Sequence, residues 1–102
     1  MKYELSEPSL ADYLRLPRQH RALFRNAVHQ LNETYTQAGS AWPPSWPAAL
    51  RVKPLQGAPG VWEMTWSFAA PDGRATFQFI TIDGAPAIRW RRIGGHEVFR
   101  NP

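Results

Sequence analysis

Residues 61–91 read VWEMTWSFAAPDGRATFQFITIDGAPAIRWR, and this stretch decides the fold. Apolar and polar residues alternate through 61–68, 74–82 and 88–91, and Pro, Asp and Gly separate these runs. Alternation with a period of two is typical of half-buried β-strands, and the intervening residues are typical of tight turns. The stretch therefore predicts an antiparallel meander with one apolar and one polar face.

The predicted meander has a definite register and a definite polar face. We pair Trp66 with Phe77, because this register keeps the apolar faces of the first two strands together, with Phe68 on the same face. The opposite face then carries Glu63, Thr65, Arg74, Thr76, Arg89 and Arg91. We expect this polar face to remain open and to bind the ligand.

The N-terminal part predicts a short strand followed by a helical hairpin. Alternation through 2–5 indicates the strand, and Ser6 is the expected N-cap of the first helix, which ends at Leu16 because a proline follows. A second helix is predicted from about Pro17 to about Thr36. The expected apolar faces are Leu10, Tyr13 and Leu14 on the first helix, and Leu23, Phe24, Ala27, Val28, Leu31 and Tyr35 on the second.

These elements predict an α+β fold in a single domain covering residues 1–102. An N-terminal strand precedes a helical hairpin that packs on one face of an antiparallel β-sheet. The loop between the helices and the meander contains Trp42 and Trp46 among prolines. This loop is either held down by its tryptophans or serves as a docking surface for a partner, and packing is the favoured interpretation.

Composition narrows the classes of protein and of site. The 102 residues include no cysteine, which excludes a disulfide framework and a thiolate metal site. The three histidines show no metal-ligand spacing, so we expect no metal and no cofactor. No signal peptide or membrane span is recognisable, and we expect a soluble, cytoplasmic protein with no membrane partner.

The charge balance favours an anionic partner. The formal net charge is +4 and the isoelectric point is about 10.1. Arginines at 74, 89 and 91 on one sheet face form a phosphate-sized patch, and guanidinium groups bind phosphate oxygens in pairs. The alternative is a face kept soluble by charge, with Arg74 paired to Glu63.

The segment 93–99, IGGHEVF, is the most specific one chemically. Gly94 and Gly95 permit a sharp turn after a strand, and His96 follows at once. Imidazole is the side chain that gains and loses a proton near neutral pH, so His96 is a candidate general acid or base. Its alternative role is that of a solvated or capping residue in a turn.

Three stretches together resemble a known family. They are LQGAPGVWE at 55–63, RATF at 74–77 and RIGGHEVF at 92–99. Their order and spacing are similar to those of RelE/ParE-type toxins of bacterial type II toxin–antitoxin systems, over about residues 50–100. The resemblance implies a β-α-α-β-β-β domain, which agrees with the fold predicted from periodicity.

The resemblance also implies an activity. The ribonuclease members of this family cut messenger RNA on the ribosome without a metal ion, leaving 2′,3′-cyclic phosphate and 5′-hydroxyl ends. By position, Arg74 would stabilise the transition state, His96 would be the acid or base, and Glu63 is a further candidate base. The implied RNA-binding residues are Arg51, Lys53, Arg89, Arg91, Arg92, Phe99 and Arg100.

Two features leave other functions open. Glu63 and Thr65 stand where many nuclease members carry basic residues, and Phe99 stands in place of a frequent tyrosine. The alternatives are a ParE-like inhibitor of DNA gyrase that cuts nothing, and an RNA-binding module that has lost the chemistry. The expected partners are an acidic antitoxin from an adjacent gene and, for the nuclease, messenger RNA and the ribosome.

Overall fold

The computed structural model describes residues 2–38, 44–68 and 72–102. It contains two helices, five strands and two 3₁₀ turns. They are β1 (Lys2–Leu5), α1 (Glu7–Arg15), α2 (Arg18–Ala38), a first 3₁₀ turn (Ala48–Leu50), β2 (Lys53–Pro54), β3 (Trp62–Ser67), β4 (Gly73–Ile82), β5 (Ala85–Gly94) and a C-terminal 3₁₀ turn (His96–Arg100). The predicted α+β class is confirmed.

The five strands form one sheet in the order β1-β5-β4-β3-β2. Strands β3, β4 and β5 form the predicted antiparallel meander, and β2, a two-residue strand that was not predicted, pairs antiparallel with β3. Strand β1 lies at the opposite edge and pairs parallel to β5, with Tyr3 opposite Ile88 and Leu5 opposite Trp90. The sheet is therefore mixed. The parallel pairing is possible because a long connection, through both helices and the other strands, joins β1 to β5.

Local signals set the ends of α1 correctly. The Ser6 hydroxyl accepts a hydrogen bond from the Ser9 N–H at 3.2 Å, as an N-cap does. Leu16, before Pro17, has ψ of 137° and ends the helix.

The predicted apolar face of α1 is wrong in part. Leu10 and Leu14 are 44% and 63% exposed, whereas Ser9 and Asp12 are buried. The helix buries its polar side because Asp12 accepts hydrogen bonds from β5, and Ser9 donates to the Ser6 carbonyl. Hydrogen-bond partners outweighed apolar periodicity in this short helix.

Helix α2 supplies one side of the core, largely as its periodicity predicted. Phe24, Ala27 and Leu31 are buried, whereas Leu23 is 42% exposed. The sheet supplies the other side with Met64, Trp66, Ala75, Phe77, Ile88, Trp90 and Ile93. No helix among the described residues is long and apolar enough to span a bilayer.

The register of the β3–β4 hairpin differs from the predicted one. Trp62, not Trp66, lies opposite Phe77, and a bulge follows between Thr65 and Ser67. The shift is by an even number of residues, so the residues before the bulge keep their predicted faces. The polar face with Glu63 and Thr76 is therefore as expected although the pairing is not.

In this register Gly73 lies against Trp66. A Cβ atom there would lie 2.4 Å from the indole of Trp66. The indole Nε1 donates to the Arg74 carbonyl at 2.8 Å, which holds the ring across the start of β4. Phe68, past the bulge, is 55% exposed. Its predicted position on the core face is therefore wrong.

A second bulge brings an additional arginine to the polar face. Thr76 lies opposite Arg92 but Phe77 lies opposite Trp90, so Arg91 is the extra residue. A bulge places two neighbouring residues opposite one partner. Arg91 and Arg92 therefore both lie on the polar side, where strict alternation would have placed only Arg91.

Trp46 packs, as the favoured interpretation held. Its ring lies 5.9 Å from Phe79 in a stacked arrangement and 6.3 Å from Tyr35. Trp42 lies outside the described residues.

Candidate functional site

One carboxylate joins two of the three predicted catalytic residues. Asp72 Oδ1 lies 2.7 Å from Nη1 of Arg74. Its other oxygen, Oδ2, lies 3.0 Å from Nδ1 of His96. Arg74 and His96, far apart in sequence, are thus held on either side of a single side chain.

The local backbone explains how His96 reaches Asp72. Gly95 begins the C-terminal 3₁₀ turn, and a Cβ there would lie 3.1 Å from the Asp72 carbonyl oxygen. The Gly95 N–H donates to Glu97 Oε1 at 3.0 Å, which closes the turn. The turn can approach the β3–β4 connection this closely because residue 95 has no side chain.

The charges at this cluster favour an ionised carboxylate. The hydrogen bond from His96, together with the charge of Arg74, holds the pKa of Asp72 below its ordinary value. Asp72 therefore remains an anion through the neutral range, able to accept from both neighbours.

Arg74 is held by several acceptors on one side of its guanidinium. Nη1 lies 3.2 Å from the Ser67 carbonyl oxygen and 3.0 Å from that of Gly73, in addition to Asp72. The side chain is 11% exposed. Within the described residues, its Nε and Nη2 atoms have no hydrogen-bond partner, so these two donors can bind an anion.

Two aromatic rings flank the cluster, the half-buried Phe99 and the exposed Phe68. Phe99 lies edge-on to His96, with 5.3 Å between ring centroids. On the other side, the Arg51 guanidinium lies 4.8 Å from the Phe68 ring and that of Arg74 lies 5.6 Å from it. Such rings are suited to stacking with unpaired bases.

The Arg74–Glu63 pair considered from the sequence is not formed. Glu63 lies opposite Thr76 and opposite Lys53 on its other side, while Arg74 lies opposite Thr65. The carboxylate that pairs with Arg74 is that of Asp72, not that of Glu63. Glu63 and Lys53 lie on the same polar face, beyond the Asp72 cluster.

The β5 arginines lie in a different place. They line a groove of about 470 Å³ that also contacts β1 and the N-terminus of α1 but not Arg74 or His96. Arg89 pairs with Glu4, and Arg92 Nε pairs with Asp12 at 2.7 Å. The predicted site residues therefore form two groups rather than one, and two of the arginines are already neutralised.

Asp12 binds an arginine of the group that lines the β5 groove. Its carboxylate is buried, with 6% of the residue exposed. It accepts from Arg92, from Arg15 at 2.8 Å and from the Ile93 N–H at 3.0 Å. Burial raises the pKa of Asp12, but these hydrogen bonds outweigh that cost and hold the pKa below its ordinary value. The hydrogen bond between Arg92 and Asp12 raises the pKa of Arg92.

Arg100 is exposed on the C-terminal 3₁₀ turn. Across residues 2–38, 44–68 and 72–102, no group of three His, Cys, Asp or Glu side chains is placed to hold a metal ion.

Two solved structures share this arrangement of strands and helices. One is described as a YoeB/ParE toxin from Agrobacterium tumefaciens; it is 15% identical, aligns over 94% of this chain and 99% of its own, and gives a TM-score of 0.55. The chain has a RelE/ParE-type toxin fold. A chain of the intact E. coli RelBE toxin–antitoxin complex also aligns, over 92% of this chain and 94% of its own, with 17% identity and a TM-score of 0.50.

This toxin fold was recognisable from motifs rather than from overall similarity. No protein-family model matches the sequence, and no curated protein matches it. The resemblance stated from three short stretches is therefore confirmed at the level of the fold by the structural alignments.

Three residues of these two groups within the RelE/ParE-type fold, Asp72, Phe68 and Asp12, are not predicted from the sequence. Asp72 belongs to a turn motif, and its position two residues before Arg74 is the signal that could identify it. Strict alternation predicts Phe68 in the core, but a bulge interrupts the alternation. No sequence signal linked Asp12 to Arg92, because 80 residues separate them.

Proposed function

We propose that this chain is the toxin of a toxin–antitoxin pair and acts as a metal-independent endoribonuclease on messenger RNA at the ribosome. The observation that carries the proposal is the Asp72 carboxylate, which holds a guanidinium and an imidazole side by side. Positive charge for a developing oxyanion and a proton-transfer group are the two requirements of cleavage by the 2′-hydroxyl.

Asp72 determines which ring nitrogen of His96 accepts a proton. A carboxylate bonded to Nδ1 favours the imidazole tautomer with its proton on that nitrogen, which leaves Nε2 as the acceptor. His96 Nε2 takes the proton from the 2′-hydroxyl while the 2′-oxygen attacks phosphorus. The P–O bond to the 5′-oxygen breaks as that oxygen takes a proton from solvent, and the imidazolium returns its proton to solvent, leaving a 2′,3′-cyclic phosphate and a 5′-hydroxyl.

Arg74 supplies the charge for this step. Its Nε and Nη2 donors bind the non-bridging phosphate oxygens, whose negative charge increases as the 2′-oxygen attacks. Glu63, on the same face, is a second candidate base for the 2′-hydroxyl.

The flanking rings position the RNA. Phe99 and Phe68 stack on the bases on either side of the cleaved phosphate, and Arg51 binds a neighbouring phosphate. Lys53 and Arg100 add charge at the margins of this surface. This arrangement requires unpaired bases, as in messenger RNA held by a ribosome.

An acidic antitoxin is the proposed inhibitory partner. A groove of about 390 Å³ between β1 and α2 is lined by Tyr3, Leu5 and Val28, with Arg25 and His29 at its margin. Strand β1 is an outer strand, and an outer strand can pair with an added segment. The chemistry fits a segment that carries both apolar and acidic side chains.

Co-expression tests the partner. The acidic protein encoded beside this gene should relieve growth arrest, and Tyr3→Glu should weaken that relief by placing a like charge in the groove. Leu14→Glu, on exposed α1 surface outside the groove, is the matched control. Equal neutralisation of both variants would refute docking in this groove.

Mapping of new messenger-RNA 5′ ends in induced bacterial cells tests the activity. We expect ends within coding regions for the wild type, and a loss of about 100-fold or more for His96→Ala, the range that general acid–base catalysis supplies. His29→Ala removes an exposed imidazole on α2 and should cleave normally. Undiminished cleavage by folded His96→Ala and Arg74→Ala variants would refute the proposed site.

One observation favours the gyrase-inhibitor alternative or a binding module. Arg74 is 11% exposed and Nη1 already has three acceptors, as expected of an arginine that only supports the hairpin. Growth arrest with DNA breaks and no new RNA ends would establish gyrase inhibition. RNA binding without new ends and without arrest would establish the binding module.

A further inference from the structure

The last two residues of the chain lie on the polar face of the sheet. The main-chain oxygen of Pro102 accepts from the Thr76 hydroxyl at 3.2 Å and from Arg91 Nε at 2.8 Å. The main-chain oxygen of Asn101 accepts from Arg92 Nη1 at 3.3 Å. Residues 101–102 therefore occupy three donors of a face that would otherwise present them to a ligand.

Arg91 differs from the two other β5 arginines in its partners. Arg89 and Arg92 each meet a carboxylate, from Glu4 and Asp12 respectively. Within the described residues, Arg91 meets no side-chain carboxylate; its side-chain partner is Gln78 Oε1 at 3.0 Å. Of the three arginines in the 470 Å³ groove, Arg91 is therefore the one whose hydrogen bonds are to a main-chain oxygen and a side-chain amide.

The donors of Arg91 and Thr76 suit a phosphodiester. A guanidinium Nε–H and a nearby hydroxyl can bind two oxygens of one phosphate. Thr76 follows Arg74 by two residues on the same face of β4, which places the two Cα atoms about 6.7 Å apart. This separation is of the order of that between successive phosphates of one nucleic-acid strand.

We propose that Thr76 and Arg91 form a phosphodiester subsite next to Arg74, and that residues 101–102 occupy it until a nucleic-acid strand displaces them. This inference rests on the proposed RNA-binding function, whose polar face it extends by one phosphate. The main-chain oxygens of the C-terminal segment act as an internal competitor, so the segment lowers the affinity for single strands.

A binding measurement separates this inference from the cleavage proposal. The probe is a fluorescent single-stranded DNA hexamer, which lacks the 2′-hydroxyl and cannot be cleaved. A variant lacking residues 101–102 should bind it about tenfold more tightly than the full chain, the change expected for one additional charge-assisted hydrogen bond. The same truncation in an Arg91→Gln background should produce no tightening.

Arg18→Gln is the charge-matched control for this cycle, because Arg18 is exposed on α2. Truncation in that background should tighten binding as in the wild type. Thermal unfolding of each variant verifies that it is folded.

A second measurement uses the full chain and does not depend on a truncated variant. The NMR resonance of the Arg91 Nε–H should shift when the hexamer is added, because its acceptor changes from Pro102 to a phosphate oxygen. That of Arg18 should not move.

Three results would overturn the inference: unchanged or weaker binding after truncation of a folded chain, equal tightening with Gln at position 91, or an Arg91 resonance that does not respond at saturation. RNA cleavage enters none of these measurements. A chain that cuts no RNA can therefore still confirm the subsite, and an active nuclease can still refute it.

Discussion

Gly73 lies against the indole ring of Trp66, and we expect this contact to stabilise the observed pairing of β3 with β4. Gly73→Ala places a methyl carbon 2.4 Å from the indole ring, so the indole must move or the hairpin must shift. We expect a loss of about 1–3 kcal/mol in the free energy of unfolding, the usual cost of overpacking. Urea denaturation measures it.

Gly57→Ala is the control for the Gly73 prediction. Gly57 has φ of 85° and no atom within 4 Å of an added Cβ, so its cost is backbone strain alone. If Gly73→Ala unfolded at the same urea concentration as the wild type, the proposed role of Gly73 in the register would be wrong.

Asp72 is a positioning residue in the proposed reaction, since it acts through Arg74 and His96. Asp72→Asn should lower cleavage about tenfold or more, because a carboxylate that fixes the tautomer and orientation of a catalytic histidine contributes at least this much. Imidazole ¹⁵N spectra should also show a smaller share of the Nδ1–H tautomer of His96. An unchanged tautomer share together with undiminished cleavage would show that Asp72 does not orient His96, and Asp83→Asn, at the exposed pair with Lys2, is the control.

At the scale of elements, Asp12 ties α1 to the bulged part of β5 through Arg92 and the Ile93 N–H. Its pKa is lowered in the folded state, so the carboxylate stabilises the fold fully above about pH 4. That contribution is lost as the pH falls through the lowered pKa, since protonation then favours the unfolded chain.

Asp12→Asn tests this link between the elements. We expect a loss of about 2 kcal/mol near neutral pH, the range for hydrogen bonds to charged groups. The difference from the wild type should be constant above about pH 4 and shrink below it. Urea denaturation across this range measures both, and a difference that grew on acidification would contradict the assignment.

At the scale of the whole molecule, the distribution of charge matters more than the net charge of +4. Arg89 and Arg92 are compensated by Glu4 and Asp12, whereas Arg51 lies exposed beside Phe68. Binding of single-stranded RNA should weaken with added salt, and Arg51→Gln should reduce the slope of log K against log salt by about 0.7, one phosphate contact.

Arg18→Gln carries the same charge change on α2, away from the proposed RNA surface. It should leave the salt slope unchanged. Equal slopes for the two variants would show that Arg51 makes no phosphate contact.

Periodicity alone determined the α+β class, the two helices and the membership of the sheet faces outside the bulges. Between bulges, face membership depends only on whether a residue number is odd or even along a strand, so a shift by an even number of residues left it intact, whereas the bulges moved Phe68 and Arg92. For the same reason Arg74 and Glu63 were placed on the polar face before their partners were known.

Only the tertiary structure decided the register, the bulges, the parallel pairing of β1 and the partners of the charged groups. Asp72 meets His96, and Asp12 meets Arg92, because strands and turns distant in sequence pack together. Spacing along a chain specifies which face a side chain occupies. It does not specify which distant atom lies within hydrogen-bond reach, because that depends on the packing of the whole core.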